Sequence, residues 1–203
     1  MVTGAAFIDS TVAGARLYHR EGLFERNFQI MNPIGENEIR ESFVNCSKGE
    51  ARRLNLPRDL SELHWEDLDF LGWCDPGAPD RGYVVVERNG ELVGVTLRLA
   101  QGTRRSFTKS AICSVCVTPH AGNGVTLFTA SRVGAAGRQG NTVGTYMCAD
   151  LACSLYVRGK KQTGYGMRFE ETLTLEERIA RTAVNLESFL DKILEDNVGS
   201  AAV

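Results

Sequence analysis

Four of the six cysteines in this 203-residue chain fall into two close pairs, and no other feature of the sequence restricts its fold as much. Cys113-Ser114-Val115-Cys116 is a C-x2-C pair, and Cys148-Ala149-Asp150-Leu151-Ala152-Cys153 is a C-x4-C pair. Each local turn offers two thiolates, and the 31 intervening residues are long enough for two strands and a loop that bring the pairs together. Four thiolates with no open position describe a closed, structural site for one Zn2+. A redox pair is the first alternative, but the βαβ pattern of a thioredoxin-like context is absent around Cys113. Plain buried cysteines are the second, and such residues rarely fall into two pairs of this kind. Lys109, His120 and nearby backbone N–H groups are candidates for offsetting the thiolate charge. Cys46 and Cys74 stand alone and read as small buried hydrophobes.

The compartment follows from what is missing. No stretch approaches the ~20 apolar residues of a membrane-spanning helix. Residues 1–30 lack the basic start and compact apolar run of a secretory signal, and Asp9, Glu21 and Glu25 are scattered through them. A cytoplasmic protein is the expectation, in which reduced thiols favour metal binding over disulfides. The formal net charge of −2 hides an asymmetry: from Leu99 to Arg168 there are nine basic residues and one acid, Asp150. The flanking segments hold almost all other carboxylates. A basic module in an acidic frame implies either a negatively charged partner or charge balance within one fold.

The remaining signals are local. Ile39 and Phe43 share a helical face, and Ser47-Lys48-Gly49-Glu50 is a capping box opening a short helix that closes before Pro57. Tyr83 to Arg88 and Glu91 to Leu97 flank Asn89-Gly90, a type I′ hairpin turn. A second β region is expected over residues 110–117, 125–132 and 142–147, with a glycine-rich loop over 134–141. Thr174 and Glu177 cap a final helix, whose apolar stripe is Leu175, Ile179, Ala183, Leu186, Leu190 and Ile193. Residues 1–35 read as a poorly ordered extension, 36–196 as the domain and 197–203 as a flexible tail.

Enzyme readings find little support. His19, His64 and His120 are too scattered for a nucleophile–base arrangement, and Gly134 to Gly140 lacks the Gly-Lys-Ser/Thr ending of a phosphate loop. The acidic run Glu66, Asp67 and Asp69 reads as a solvated surface loop, with cation binding as the minor alternative. Arg138, Tyr146, Tyr156, Arg158, Lys160 and Lys161 are the candidates for partner binding, because arginine and tyrosine are favoured interface anchors. Core packing competes for the tyrosines, and a merely solvated face for the cations.

Several runs resemble a known family. They are Ser42-Phe43-Val44-Asn45-Cys46-Ser47-Lys48-Gly49-Glu50, Leu68-Asp69-Phe70-Leu71-Gly72-Trp73, Gly137-Arg138-Gln139-Gly140-Asn141-Thr142-Val143-Gly144-Thr145-Tyr146-Met147-Cys148 and Cys153-Ser154-Leu155-Tyr156-Val157-Arg158-Gly159-Lys160-Lys161. Over about residues 36–195 they are similar to FBP-domain proteins, the C-terminal zinc-finger domain of elongation factor G-binding proteins of the FusB fusidic acid resistance type. The resemblance implies an α+β fold, with a small antiparallel sheet, helices, a treble-clef-like four-cysteine zinc finger and a C-terminal helix. It also implies a non-catalytic protein that binds elongation factor G and helps it leave the ribosome, with neither a membrane nor a small-molecule substrate as partner. An RNA- or ribosome-binding zinc module using the basic central segment is the alternative.

Overall fold

Five antiparallel strands, Leu71–Asp75, Ala78–Arg88, Glu91–Leu99, Val125–Ser131 and Thr142–Cys148 in that spatial order, form the sheet around which the chain is organised. The structure is a computed structural model that describes residues 30–100, 110–164 and 171–195. The expected tail at 197–203, most of the expected extension, and Arg104, Arg105, Lys109 and Arg168 lie outside the described residues. Packing begins before residue 36: Met31 is buried and donates its N–H to the Leu68 carbonyl at 2.9 Å.

Helices α1 (Glu36–Glu41) and α2 (Lys48–Arg52) come first. The expected capping box forms at α2, where Ser47 Oγ accepts from Glu50 N and the Glu50 carboxylate accepts from Ser47 N. Two short 3-10 turns, Leu60–Glu62 and Trp65–Asp67, lead into β1 (Leu71–Asp75). This strand was not expected; its five residues alternate buried and half-buried positions and pair with β2 (Ala78–Arg88). The β2–β3 hairpin, closed by β3 (Glu91–Leu99), turns at Asn89 and Gly90, whose φ angles are 54° and 81°. Both central residues of a type I′ turn need positive φ, so Asn-Gly fixes the register.

The two sheet faces are covered differently. On one face, Trp73, Tyr83 and Phe43 form an aromatic cluster beneath α1 and α2, with Trp73 and Tyr83 centroids 5.0 Å apart. The Asp75 carboxylate accepts the Tyr83 hydroxyl at 2.9 Å, and burial with this bond pushes the phenol pKa up to about 12. The other face packs on the cysteine-bearing segments and on α5 (Leu175–Leu194). Ala183, Leu186, Leu190 and Ile193 are buried as the stripe predicts, and Phe189 is buried with them. Leu175 is instead exposed, because it lies in the first turn, ahead of the part of the helix that reaches the core. Arg88 ties α5 to β2 through Glu187 and Asp191.

The cysteine region is less extended than expected. Only Ala111–Ile112 (β4) and Pro119–His120 (β5) pair around the first cysteine turn, while β6 (Val125–Ser131) and β7 (Thr142–Cys148) form a full hairpin. The glycine-rich stretch between them is not all loop: Gly134–Arg138 forms a short helix, α3. Gly137 allows it, since a Cβ there would collide with the Arg132 carbonyl. Glycine marks close helix-to-backbone approach here, not a loose loop.

Two further glycines let the second cysteine turn settle on the sheet. A Cβ on Gly72 would stand 2.5 Å from the Leu151 carbonyl oxygen, and one on Gly82 would stand 2.8 Å from Leu151 Cδ1. Replacing Gly72 with Ala forces backbone to move rather than a flexible side chain. G72A is expected to cost about 1–3 kcal/mol, the usual cost of overpacking, and thermal unfolding of the zinc-loaded protein measures it.

Candidate metal centre

The first cysteine turn follows β4. The Cys113 N–H donates to the Thr118 carbonyl at 3.0 Å, and Val117 N–H donates back to the Cys113 carbonyl at 2.9 Å. Inside this loop the amides of Val115 and Cys116 both point at Cys113 Sγ, at 3.4 Å. Such N–H donors offset charge on a thiolate. Closing so tight a loop requires left-handed backbone after Cys116, and Val117 supplies it at φ 58°. A β-branched residue there is strained, and strain of this sort persists only where the surroundings over-determine it.

The second turn joins β7 to α4 (Cys153–Val157). Leu151, also at φ 58°, donates its N–H to the Cys148 carbonyl at 2.9 Å, and its side chain is buried against the sheet. The Ala149 amide donates to the Gly124 carbonyl at 2.9 Å, and the Cys74 thiol donates to the Ala149 carbonyl at 3.2 Å. Cys74 is therefore half-buried and bonded to the second turn, not a plain core filler. A cysteine turn, a β-hairpin and the first turn of a helix thus converge on one point.

All four cysteines are buried, and their Sγ atoms lie within 4.8 Å of one another. Cys113–Cys153 is 3.7 Å and Cys116–Cys148 is 3.5 Å. A tetrahedron with Zn–S bonds of about 2.3 Å has edges of about 3.8 Å. The spacing fits one zinc ion bound by four thiolates and leaves no position for substrate or water.

Charge leads to the same conclusion. Hydrogen bonding from Cys113 foremost, then Cys148 and Cys153, drives the Cys116 thiol well below its ordinary range. The same cluster drives Cys153 up, with the bond to Cys113 the largest cause. Four sulfurs this close cannot all ionise by themselves, and a divalent cation removes that conflict. His120 is 4% exposed, and its Nε2 lies 3.2 Å from Cys148 Sγ. As an Nε2–H donor it would bond the thiolate, a common partner arrangement around metal ligands. Its ring stands edge-on to Tyr156, with centroids 4.6 Å apart. Tyr156 Oη donates to Asp150 at 2.9 Å, and Lys161 pairs with Asp150 at 2.7 Å. Burial opposes ionisation of Asp150, but the bonds from Lys161, Ala152 N–H and Tyr156 outweigh it and hold the carboxyl below its usual range.

The candidate partner-binding residues separate into two groups. Arg158 forms a bidentate pair with Asp69, at 2.6 and 2.7 Å, with side chains 9% and 8% exposed. Lys160 reaches Asp67 at 2.6 Å, although its own side chain is half exposed. Arg138 is exposed at the end of α3, and Tyr146 is 37% exposed on the face of edge strand β7 that also presents Thr142 and Gly144. The reading of Asp67 and Asp69 as a solvated loop is corrected: Asp67 is buried and the Asp69 side chain is 8% exposed, because cations 93 and 89 residues away in sequence fold onto them. Only Glu66 of that run is exposed, 3.2 Å from His64 Nδ1. The charge asymmetry of the sequence was the one sign of this pairing, without saying which residues meet.

A sequence model of the FBP C-terminal treble-clef zinc-finger family matches residues 38–193. No curated protein matches the chain. Among solved structures, one described as that of the fusidic acid resistance protein FusC is similar, with a TM-score of 0.48 and 14% identity, over 81% of this chain and 60% of that one. The chain therefore spans less than two thirds of the length of that protein.

Metal removal tests the centre. The zinc-loaded chain is expected to hold one zinc, and Cys116→Ser or chelation is expected to lower Tm by about 10 °C or more, since structural zinc contributes folding energy directly. Metal analysis alongside thermal unfolding checks both. Cys74→Ser should keep its zinc.

Proposed function

Because this chain belongs to the FBP C-terminal treble-clef zinc-finger family, we propose that it is a zinc-stiffened module, without chemistry of its own, that binds translation elongation factor G and promotes its release from the ribosome. The family match across residues 38–193 is the observation that carries this reading. The closed four-cysteine centre supports it, since such a centre holds a surface rigid and offers no reactive position.

On this reading Arg138 and Tyr146 are the principal contact residues, and Lys160 and Lys161, at 55% and 45% exposure, contribute to binding as well. Arg158 and Tyr156 act from beneath, keeping α4 and the second cysteine turn in place through Asp69 and Asp150. The pairing of Arg158, Lys160 and Lys161 with carboxylates weighs against the RNA alternative, since cations already neutralised have less to offer phosphates.

A pull-down with purified elongation factor G and nuclease-treated, zinc-loaded protein tests the reading. Binding is expected, and Tyr146→Ala with Arg138→Glu is expected to weaken it about tenfold or more, as for interface anchors, without loss of zinc. Zinc without binding discards the function. Steep salt-dependent binding to naked RNA would put the RNA reading in its place.

A further inference from the structure

Away from the metal centre, on the sheet face covered by α1 and α2, a cleft of ≈ 370 Å³ opens among Glu50, Arg53, Leu54, Asn55, Arg81 and Tyr83. It continues into a narrower groove that adds Cys46, Thr96 and Arg98. The volume lies in the range of small-molecule sites.

Arg81 and Arg98 are directly opposed across the β2–β3 ladder, so their side chains leave the same face of the sheet. Like charges in such a pair are unfavourable by themselves. The nearest carboxylate to Arg98 is Asp80 at 3.9 Å, an exposed pair that contributes little. Among the described residues, no carboxylate lies within 4.0 Å of Arg53 or Arg81. This contrasts with Arg88 and Arg158, which are spent on carboxylates inside the fold.

The acids in the cleft are already engaged. The Glu50 carboxylate turns back to Ser47, accepting from its N–H at 3.0 Å and its hydroxyl at 2.8 Å. Asp75 accepts from the Asn55 amide, from Gly77 and Ala78 N–H, and from the Tyr83 hydroxyl. These bonds keep both carboxylates ionised, and Glu50 also attracts Arg81 and Arg53, so what the cleft offers a ligand is guanidinium N–H donors rather than a net positive charge. Arginine forks match phosphate and carboxylate oxygens in bidentate fashion, and Leu54 supplies an apolar wall.

We propose that this cleft binds a small molecule bearing a phosphate or carboxylate group, with Arg81 and Arg98 as a paired fork and Arg53, just past the end of α2, as a third guanidinium. The site is on the opposite sheet face from Leu151 and the cysteine turns, and it stands or falls independently of factor binding.

NMR titration of the 15N-labelled, zinc-loaded full chain tests it, with pyrophosphate in one arm and tricarballylate in the other at constant ionic strength. Saturable shifts of the Gly77, Ala78, Arg81 and Arg98 amides are expected in at least one arm, with a Kd of about 1 mM or tighter. Saturation by pyrophosphate alone assigns a phosphate ligand, by tricarballylate alone a carboxylate, and by both the shared oxyanion chemistry. Arg81→Gln with Arg98→Gln is expected to weaken binding about tenfold or more, the worth of a charged hydrogen bond. Arg53→Gln, at an exposed position, is expected to weaken binding severalfold and serves if the double variant unfolds. Shifts that stay linear in both arms up to about 20 mM overturn the proposal, as does affinity unchanged in a folded variant.

Discussion

Four sulfur atoms confined within 4.8 Å of one another are the constraint on which the rest of the structure depends. As thiolates they repel, and as thiols they bond too weakly to hold a turn, a hairpin and a helix together. A tetrahedral cation converts that liability into a crosslink over 40 residues, from Cys113 to Cys153. The backbone has adapted to the geometry. Val117 and Leu151 both hold left-handed conformations that cost a side-chain-bearing residue energy, each just where a cysteine turn must close. Further out, the N–H groups of Val115 and Cys116 donate to Cys113 Sγ, and the His120 ring stands against Cys148 Sγ.

The crosslinked unit does not sit on the sheet by hydrophobic contact alone. Leu151 is inserted where Gly72 and Gly82 leave room, Cys74 bonds the Ala149 carbonyl, and Ser154 Oγ accepts the Asp69 N–H at 3.1 Å. The Arg158–Asp69 fork completes the joint. An ion pair at this depth gains little net stability over an apolar substitute, yet breaking it from one side leaves an uncompensated charge. Its effect is on specificity of docking: α4 has one orientation in which both charges are satisfied.

Patterns governed by neighbours in sequence were legible, and those governed by distant partners were not. The two capping boxes, the Asn89-Gly90 turn, the α5 stripe and the cysteine pairing depend on residues a few positions apart, or on ligand chemistry that tolerates little variation. Leu71 to Asp75 escaped notice as a strand because Gly72 and Cys74 are small where a β-strand usually carries bulk, and only the buried cysteine turn explains them. Asp67 and Asp69 read as solvated because carboxylates usually are; their partners are far along the chain. In sequence Gly137 reads as a loop residue, because glycine signals both looseness and close packing, and only the third dimension separates the two.

The span from Asp69 to Arg158 also bears on the order in which the molecule is made. A ribosome delivers the chain from its N-terminus, so β1, β2 and β3 emerge with their hairpin-forming contacts complete. Asp67 and Asp69, however, are then uncompensated, and Gly72 and Gly82 line an open notch. The notch waits for Leu151 and the charges wait for Arg158 and Lys160, just after α4, by which point the last cysteine is also present to close the metal site. The nascent sheet therefore stays provisional for about 90 residues of synthesis, and capture of the metal coincides with the burial of its charges.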